Sequence, residues 1–234
     1  MSAKAAIVVG AGPGLGSALC RRFAQGGLAV AAARRQGDKA QPLAEEIGGR
    51  AYSCDAGKQD DVETLFTRVE RELGTPELVV FNPGGFQRAG ILEMNAEQVT
   101  AHWRDGCLGG FHVGQAAAAA MNSQGRGTII FTGATASLRG GAGFANLAMP
   151  KFGLRALAQA MARELWPQGI HVAHTIIDGQ IRNESRGPQY SEAERGRDAL
   201  LHPEAIAEAY WDLHQQPRNA WTHELDLRPW VETF

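Results

Sequence analysis

Apolar and polar positions along the chain follow two alternating periods. Short β-like runs fall at 5–9, 28–33, 50–53, 78–81, 128–132, 171–177 and 224–227. Between them, apolar residues at three- and four-residue spacing predict helices over 14–25, 39–47, 60–73, 96–121, 147–166 and 203–215, with Gly109-Gly110 as a candidate break in the fourth. Stop signals fit these limits: Gly26-Gly27 follows the first helix, Gly48-Gly49 the second and Gly74 the third, and Pro167 ends the fifth. Strand and helix alternating in this way predict an α/β fold, a doubly wound parallel sheet of about seven strands. Such sheets bind ligands beyond the carboxyl ends of their strands, so the chemistry is expected there.

Composition narrows the picture. A chain of 234 residues with 44% apolar content suits a single domain, here 1–234, and is short for two. Lys and Arg total 23 against 25 Asp and Glu, which offers neither a nucleic-acid stripe nor an acidic tail. Cys20, Cys54 and Cys107 are odd in number and lack C-x-x-C spacing, so neither a disulfide framework nor a zinc site is expected, and a reducing compartment is. The apolar N-terminus is punctured by Gly10, Gly12, Pro13, Gly14 and Gly16, unlike a signal peptide, and no run approaches a membrane span. A cytoplasmic protein with a small-molecule ligand is the expectation, with no nucleic acid, membrane or metal.

The first strand-to-helix turn reads V-G-A-G-P-G-L-G, residues 9–16. Glycines there permit a tight turn and close backbone approach, and the helix start offers free N–H groups to a pyrophosphate. An ordinary strand-helix turn would read the same way. The second strand ends A-A-A-R-R at 31–35. An acidic residue would accept hydrogen bonds from a ribose diol, whereas arginine offers a fork to a 2′-phosphate. NADP(H) is therefore favoured over NAD(H), the alternative being that Arg34 and Arg35 are solvated surface charges.

These residues resemble the short-chain dehydrogenase/reductase family, from the first strand to about Gly179 and more weakly beyond. The spacing of Gly10, Gly14 and Gly16 is similar to that family's cofactor loop, which implies that Gly10, Pro13, Gly14, Leu15 and Gly16 hold the cofactor. Cys54-Asp55-Ala56 resembles the segment whose Asp contacts adenine. Phe81-Asn82-Pro83-Gly84 resembles the family's N-N-A-G turn, with Asn82 bracing the central strands and Gly84 beside the cofactor. G-T-I-I-F-T-G-A-T-A-S and A-R-E-L-W-P-Q-G-I-H-V resemble its fifth strand and its passage into the sixth. The resemblance implies a single Rossmann-type domain and a nicotinamide-dependent oxidoreductase.

The family's chemistry rests on Ser, Tyr, Lys and Asn. Carried over by position, Lys151 matches the lysine, which binds the nicotinamide ribose, but Leu147 stands at the tyrosine, Ala134 at the serine and Cys107 at the asparagine. Leu and Ala offer no exchangeable proton. Lys151 through a water, or Asp178 in a D-G pair where the family has proline-glycine, are candidate substitutes; each also has a plainer role, as a ribose ligand or a turn former. Thr135, Ser137 and Asn146 flank the vacated positions, and Asn146 reads equally well as a helix N-cap, which would account for Pro150.

Other features are weaker. His171 and His174, three apart on a strand, should point to opposite faces as structural residues, and Cys107 reads as a small buried hydrophobe. Residues 182–202 fall where the family carries a substrate lid, with Tyr190 either lining a pocket or lying on the surface. Trp221, Trp230 and Phe234 are expected to plug this chain's core or a neighbour's. With the small-residue run Q-A-A-A-A-A-M at 115–121, where relatives pair helices between subunits, they point to a homodimer or homotetramer. Two readings of function result: an NADP(H)-dependent oxidoreductase of a small carbonyl or alcohol with a non-standard proton donor, or a catalytically inactive cofactor-binding sensor or partner subunit.

Overall fold

A small-residue strand lies one in from the edge of the sheet. Strand β2 (Ala29–Arg34, AVAAAR) pairs in parallel with both β1 (Lys4–Val9) and β3 (Arg50–Ser53), and its alanines are closed off by helices on either side. Strands covered on both faces need apolar residues throughout, not alternation. The computed structural model describes residues 4–233. With β4 (Thr75–Phe81), β5 (Gly127–Thr132), β6 (Ile170–Ile177) and β7 (Glu224–Leu227), the seven parallel strands run in the order β3-β2-β1-β4-β5-β6-β7. The direction of winding reverses between β1 and β4, which opens a crevice at their carboxyl ends.

Alternate residues of each strand feed two cores. Ile7, Val79, Phe81, Ile129 and Phe131 face α3 (Gln59–Leu73), α5 (Gly109–Asn122) and α6 (Ala145–Leu165). Ala6, Val8, Leu78, Val80 and Ile130 face α1 (Leu15–Gln25) and α8 (Pro203–Gln215), with α2 (Gln41–Ile47) at the edge. Most predicted elements are present within a few residues of their expected limits, and β3, β7 and α8 match them. The stretch 39–47 divides into a 3₁₀ turn, Gly37–Ala40, and α2.

The long helix expected over 96–121 does break, but earlier than Gly109-Gly110. It consists of α4 (Ala96–Trp103), a π turn at Arg104–Leu108, and α5. Gly106, Gly110 and Gly114, four residues apart, form its inner edge: a Cβ on them would lie 2.9 Å from Pro150, 2.4 Å from Leu154 and 2.9 Å from Met161 and Phe131. Small residues at this spacing let α5 seat closely on α6 and the sheet. Within the run at 115–121, Ala117 and Met121 are buried in this chain's own core, so those positions serve internal packing.

Helix α6 begins at Ala145 with Phe144 at its cap, so the N-cap expectation for Asn146 is corrected. Asn146 lies in the first turn and donates through Nδ2 to the Gln87 carbonyl at 2.6 Å. Pro150 is therefore one turn inside the helix, where the donor it lacks would have met the carbonyl of Asn146. His171 and His174 do face opposite sides of β6. His171 stacks on Trp221 at 4.8 Å and hydrogen-bonds the Thr222 carbonyl at 2.8 Å; His174 is buried against Gly133, 3.8 Å from Glu224. Trp221 thus closes this chain's own fold, Trp230 is 82% exposed, and Phe234 lies outside the described residues. No described helix is long and apolar enough to cross a membrane, and no described group of three His, Cys, Asp or Glu side chains could hold a metal ion.

Helix α8 is fastened to the sheet by a buried phenol. The Tyr210 hydroxyl is fully enclosed, hydrogen-bonds Thr132 Oγ1 at 2.9 Å and also meets Thr175 Oγ1, and burial pushes its pKa up to about 12. Tyr210→Phe leaves two buried hydroxyls short of a partner and is expected to lower unfolding stability by about 1–2 kcal/mol, measured by urea denaturation.

Candidate active site

The carboxyl end of β1 meets that of β4 at very short range. Gly10, at φ +95°, has the Asn82 backbone so close that a Cβ would lie 2.8 Å from it. Asn82 donates its backbone N–H to Val9 O at 2.8 Å and its side-chain Nδ2 to Gly10 O at 3.2 Å, so it braces the two central strands. On the other side, the N–H groups of Gly10 and Ala11 both reach Ala33 O, at 2.9 and 3.0 Å. Gly16 packs onto the turn so tightly that a Cβ would lie 2.3 Å from Gly10 O. At Gly12 the space is open. The turn is therefore pinned from below and clear above, at the start of α1, whose first N–H groups have no helical acceptor.

This turn forms one wall of a cleft of about 880 Å³. Gly10, Pro13, Leu15 and Gly16 line it at the first turn; Arg34, Arg35, Asp55 and Ala56 line it beyond β2 and β3; Asn82 and Gly84 line it after β4; Lys151 lines it from α6. Of the cofactor residues that the resemblance implied only Gly14 does not, because Asn183 covers it: a Cβ there would lie 2.8 Å from Asn183 Nδ2. Arg35 is turned toward Asp105 at 3.4 Å, whereas Arg34 makes no ion pair among the described residues. Asp55 accepts from the Gly57 N–H at 3.1 Å, which shapes its own turn. Open space at Gly12 and a free helix start fit the pyrophosphate of a dinucleotide.

Lys151 is enclosed, with Nζ donating to the Thr132 carbonyl at 2.6 Å, and burial lowers its pKa from 10.5 to about 8. Leu147, one turn earlier, also lines the cleft. The polar side chains flanking it are engaged elsewhere. Thr135 Oγ1 donates to Asp178, Ser137 Oγ accepts from the Ala134 N–H at 3.1 Å, and Asn146 is held by Gln87. Asp178 itself is buried, takes Arg228 at 3.0 Å on its second oxygen, and does not line the cleft. As a substitute proton donor it is thus corrected: it clamps the segment after β7 to the strand ends. Cys107 lies in the π turn with its thiol against Gly153, and burial raises its pKa, which keeps it protonated.

Sequence reasoning missed His102, Asp105, Asn183 and Arg186, which also line the cleft. His102 is in the last turn of α4 and Asp105 is in the π turn that follows, which no local pattern announced. The other two belong to the expected lid, which is built rather than loose. Its ends are tied by Arg182 N to Leu201 O at 2.8 Å and Leu201 N to Gln180 O at 2.9 Å, with short turns and a four-residue helix, α7 (Glu192–Arg195), between. Tyr190 does not line the cleft; its ring lies under the Arg186 guanidinium.

A pinned glycine turn, a switch-point cleft and a buried lysine facing it define a doubly wound nucleotide-binding α/β protein. A model of the short chain dehydrogenases matches residues 4–188, and the chain belongs to that family. It is 32% identical to a 3-oxoacyl-[acyl-carrier-protein] reductase of Bos taurus and 30% to that of Homo sapiens, each match covering 77% of this chain and 77% and 80% of the relative. A short-chain dehydrogenase from Rhodopseudomonas palustris is 42% identical with a TM-score of 0.83, over 97% of this chain and 99% of the other.

Lys151 also sets a pH dependence. Its proton is held to about pH 10.5 in the unfolded chain but only to about pH 8 in the folded one. The unfolded state therefore binds more protons in that window, so stability rises with pH from about 8 to 10.5 and the full penalty stands below it. Lys151→Met is expected to remove that rise, read from urea unfolding at the two ends of the window.

Proposed function

We propose that this chain is an NADP(H)-dependent oxidoreductase of a small carbonyl or alcohol in which Lys151, not a tyrosine, handles the proton. The observation that carries the reading is the cleft itself: the glycine turn and Arg34 at one end and the buried Lys151 at the other. When bound, the cofactor supplies or accepts a hydride at its nicotinamide. The helix start and the glycine turn receive the pyrophosphate, Arg34 takes the 2′-phosphate, and Asp55 and Ala56 flank the adenine. The curated relatives named above act on 3-oxoacyl groups, so a 3-oxoacyl thioester is the first substrate to test.

Leu147 and Ala134 occupy the positions of the family's tyrosine and serine in this reading, and neither can donate a proton or a hydrogen bond. Lys151 faces the same cleft and is protonated below about pH 8. It holds the nicotinamide ribose and passes a proton to the substrate oxygen through a water. A general acid acts in its protonated form, so kcat/KM for reduction should be level below about pH 8 and fall above it, with alcohol oxidation showing the reverse. Lys151→Met should lower turnover by about 10²–10⁴. A profile for reduction that rises through that range would refute the assignment.

A second reading, cofactor binding without turnover as a sensor or partner subunit, is favoured by the engagement of Thr135, Ser137, Asn146 and Asp178 with groups outside the cleft. Saturable quenching by NADPH with no turnover of 3-oxoacyl and simple carbonyl substrates would select it. In that event Leu147→Tyr with Ala134→Ser should create activity, by about 10²-fold or more over background. Arg34→Ala should weaken NADPH by roughly 10- to 100-fold and leave NADH unchanged. A wild type that prefers NADH refutes the 2′-phosphate role. Trp103, Phe111 and Phe152, on α4, α5 and α6 and each more than 40% exposed, support a homodimer or homotetramer through that side.

A further inference from the structure

Two guanidinium groups line the cleft without a carboxylate partner among the described residues. One is Arg34. The other is Arg186, in the segment expected to cover the substrate. Its basic neighbours there are engaged: Arg182 pairs with Glu204 at 3.4 Å, Arg195 donates to Gln180 Oε1 at 2.7 Å, and Arg197 meets Asp198 at 3.5 Å. Arg186 has instead the face of Tyr190, with the guanidinium carbon 4.8 Å from the ring centroid. A ring on one side and open cleft on the other orient the fork without neutralising it.

Its position follows from one turn of backbone. Arg186 N–H donates to Asn183 O at 3.0 Å, so the two residues bracket a single 3₁₀ turn. Asn183 in turn donates Nδ2 to Pro13 O at 3.1 Å and covers Gly14. Ser185 Oγ donates to Asn183 Oδ1 at 2.6 Å, which fixes the amide's orientation, and Asn183 N–H reaches Tyr190 O at 3.1 Å. The lid is therefore latched to the glycine turn at the start of α1. Arg186, one turn from that latch, lines the same cleft as Pro13, Leu15 and Gly16 at the helix start.

We propose that Arg186 is the lid's contact to the cofactor pyrophosphate, so that residues 182–200 close on the cofactor and not on the substrate. The inference rests on the cofactor reading above and adds a division of labour. Arg34 reads the 2′-phosphate, the part by which NADPH and NADH differ. Arg186 reads the pyrophosphate, the part they share.

The test is titration of the full-length protein and its variants with NADPH, NADH, ADP and 2′-AMP, the last of which has no pyrophosphate. Arg186→Ala is expected to weaken NADPH, NADH and ADP by a similar factor, roughly 10- to 100-fold, and to leave 2′-AMP unchanged. Arg34→Ala should show the complementary pattern, losing NADPH and 2′-AMP and keeping NADH. Arg186→Lys, which keeps the charge without the fork, should fall between wild type and Arg186→Ala. NADPH should also protect the lid of the wild type from chymotryptic cleavage after Tyr190, and should protect Arg186→Ala less at equal saturation. Arg186→Ala binding all four ligands as wild type does would overturn the proposal alone. So would loss of 2′-AMP in parallel with the others, or intact cofactor affinity with a raised KM for a carbonyl substrate. A wild type that binds none of the four overturns the cofactor reading itself.

Discussion

Contact between the ends of β1 and β4 is the constraint from which the rest of the site is measured. Asn82 can hold Gly10 O only because Gly10 has no side chain and accepts a positive φ. That contact, with the two N–H groups on Ala33 O, fixes where α1 begins and which way its free N–H groups point. A methyl group at Gly10 or Gly16 would collide with backbone, which has no rotamer by which to move aside. The cleft is thus defined by close packing beneath it, and its upper side is left for a ligand.

Around Lys151 the balance is electrostatic. An ammonium group taken out of water with one carbonyl for company is costly, and its lowered pKa is the expression of that cost. Ligand hydroxyls would relieve it, which is why a buried lysine at this position suits a ribose. The neighbouring polar groups are engaged within the protein: Asp178 by Thr135 and Arg228, Ser137 by the backbone, and Asn146 through its Nδ2 on the Gln87 carbonyl, its Oδ1 being left buried without a hydrogen-bond partner. Lys151 is therefore a buried cation whose side chain faces the ligand space and whose proton is held only to about pH 8.

The segments that follow β6 are held by different means. After β7 the chain is strapped to the strand ends by Asp178 N–H on Leu227 O at 2.8 Å and by Arg228 on Asp178, while Pro229 packs on Gly179. The lid is tied at its two ends and latched at Asn183, but its interior is composed of short turns with exposed side chains. Few buried apolar contacts support it, which is the physical setting for a segment that orders around a ligand.

Sheet, helices and glycine turn were legible in the chain because each is dictated locally: β-branched and alanine runs, three-to-four periodicity, and glycines where only glycine fits. Arg34 was legible as a cleft residue because strand ends in a parallel sheet converge on one edge, and Asp55, Asn82 and Lys151 were legible through their resemblance to the family's motifs. The π turn at Arg104–Leu108 was not legible, since one extra residue per turn leaves no trace in a hydrophobic pattern, and with it went Asp105. Nor was the start of α6, where Asn146 offered a good cap but Gln87, distant in sequence, claimed its amide. The sequence alone determined the scaffold and the absence of a phenol at position 147. Tertiary structure decided which polar groups remain free to act, because a side chain's partners depend on segments far apart in the chain that only folding brings together.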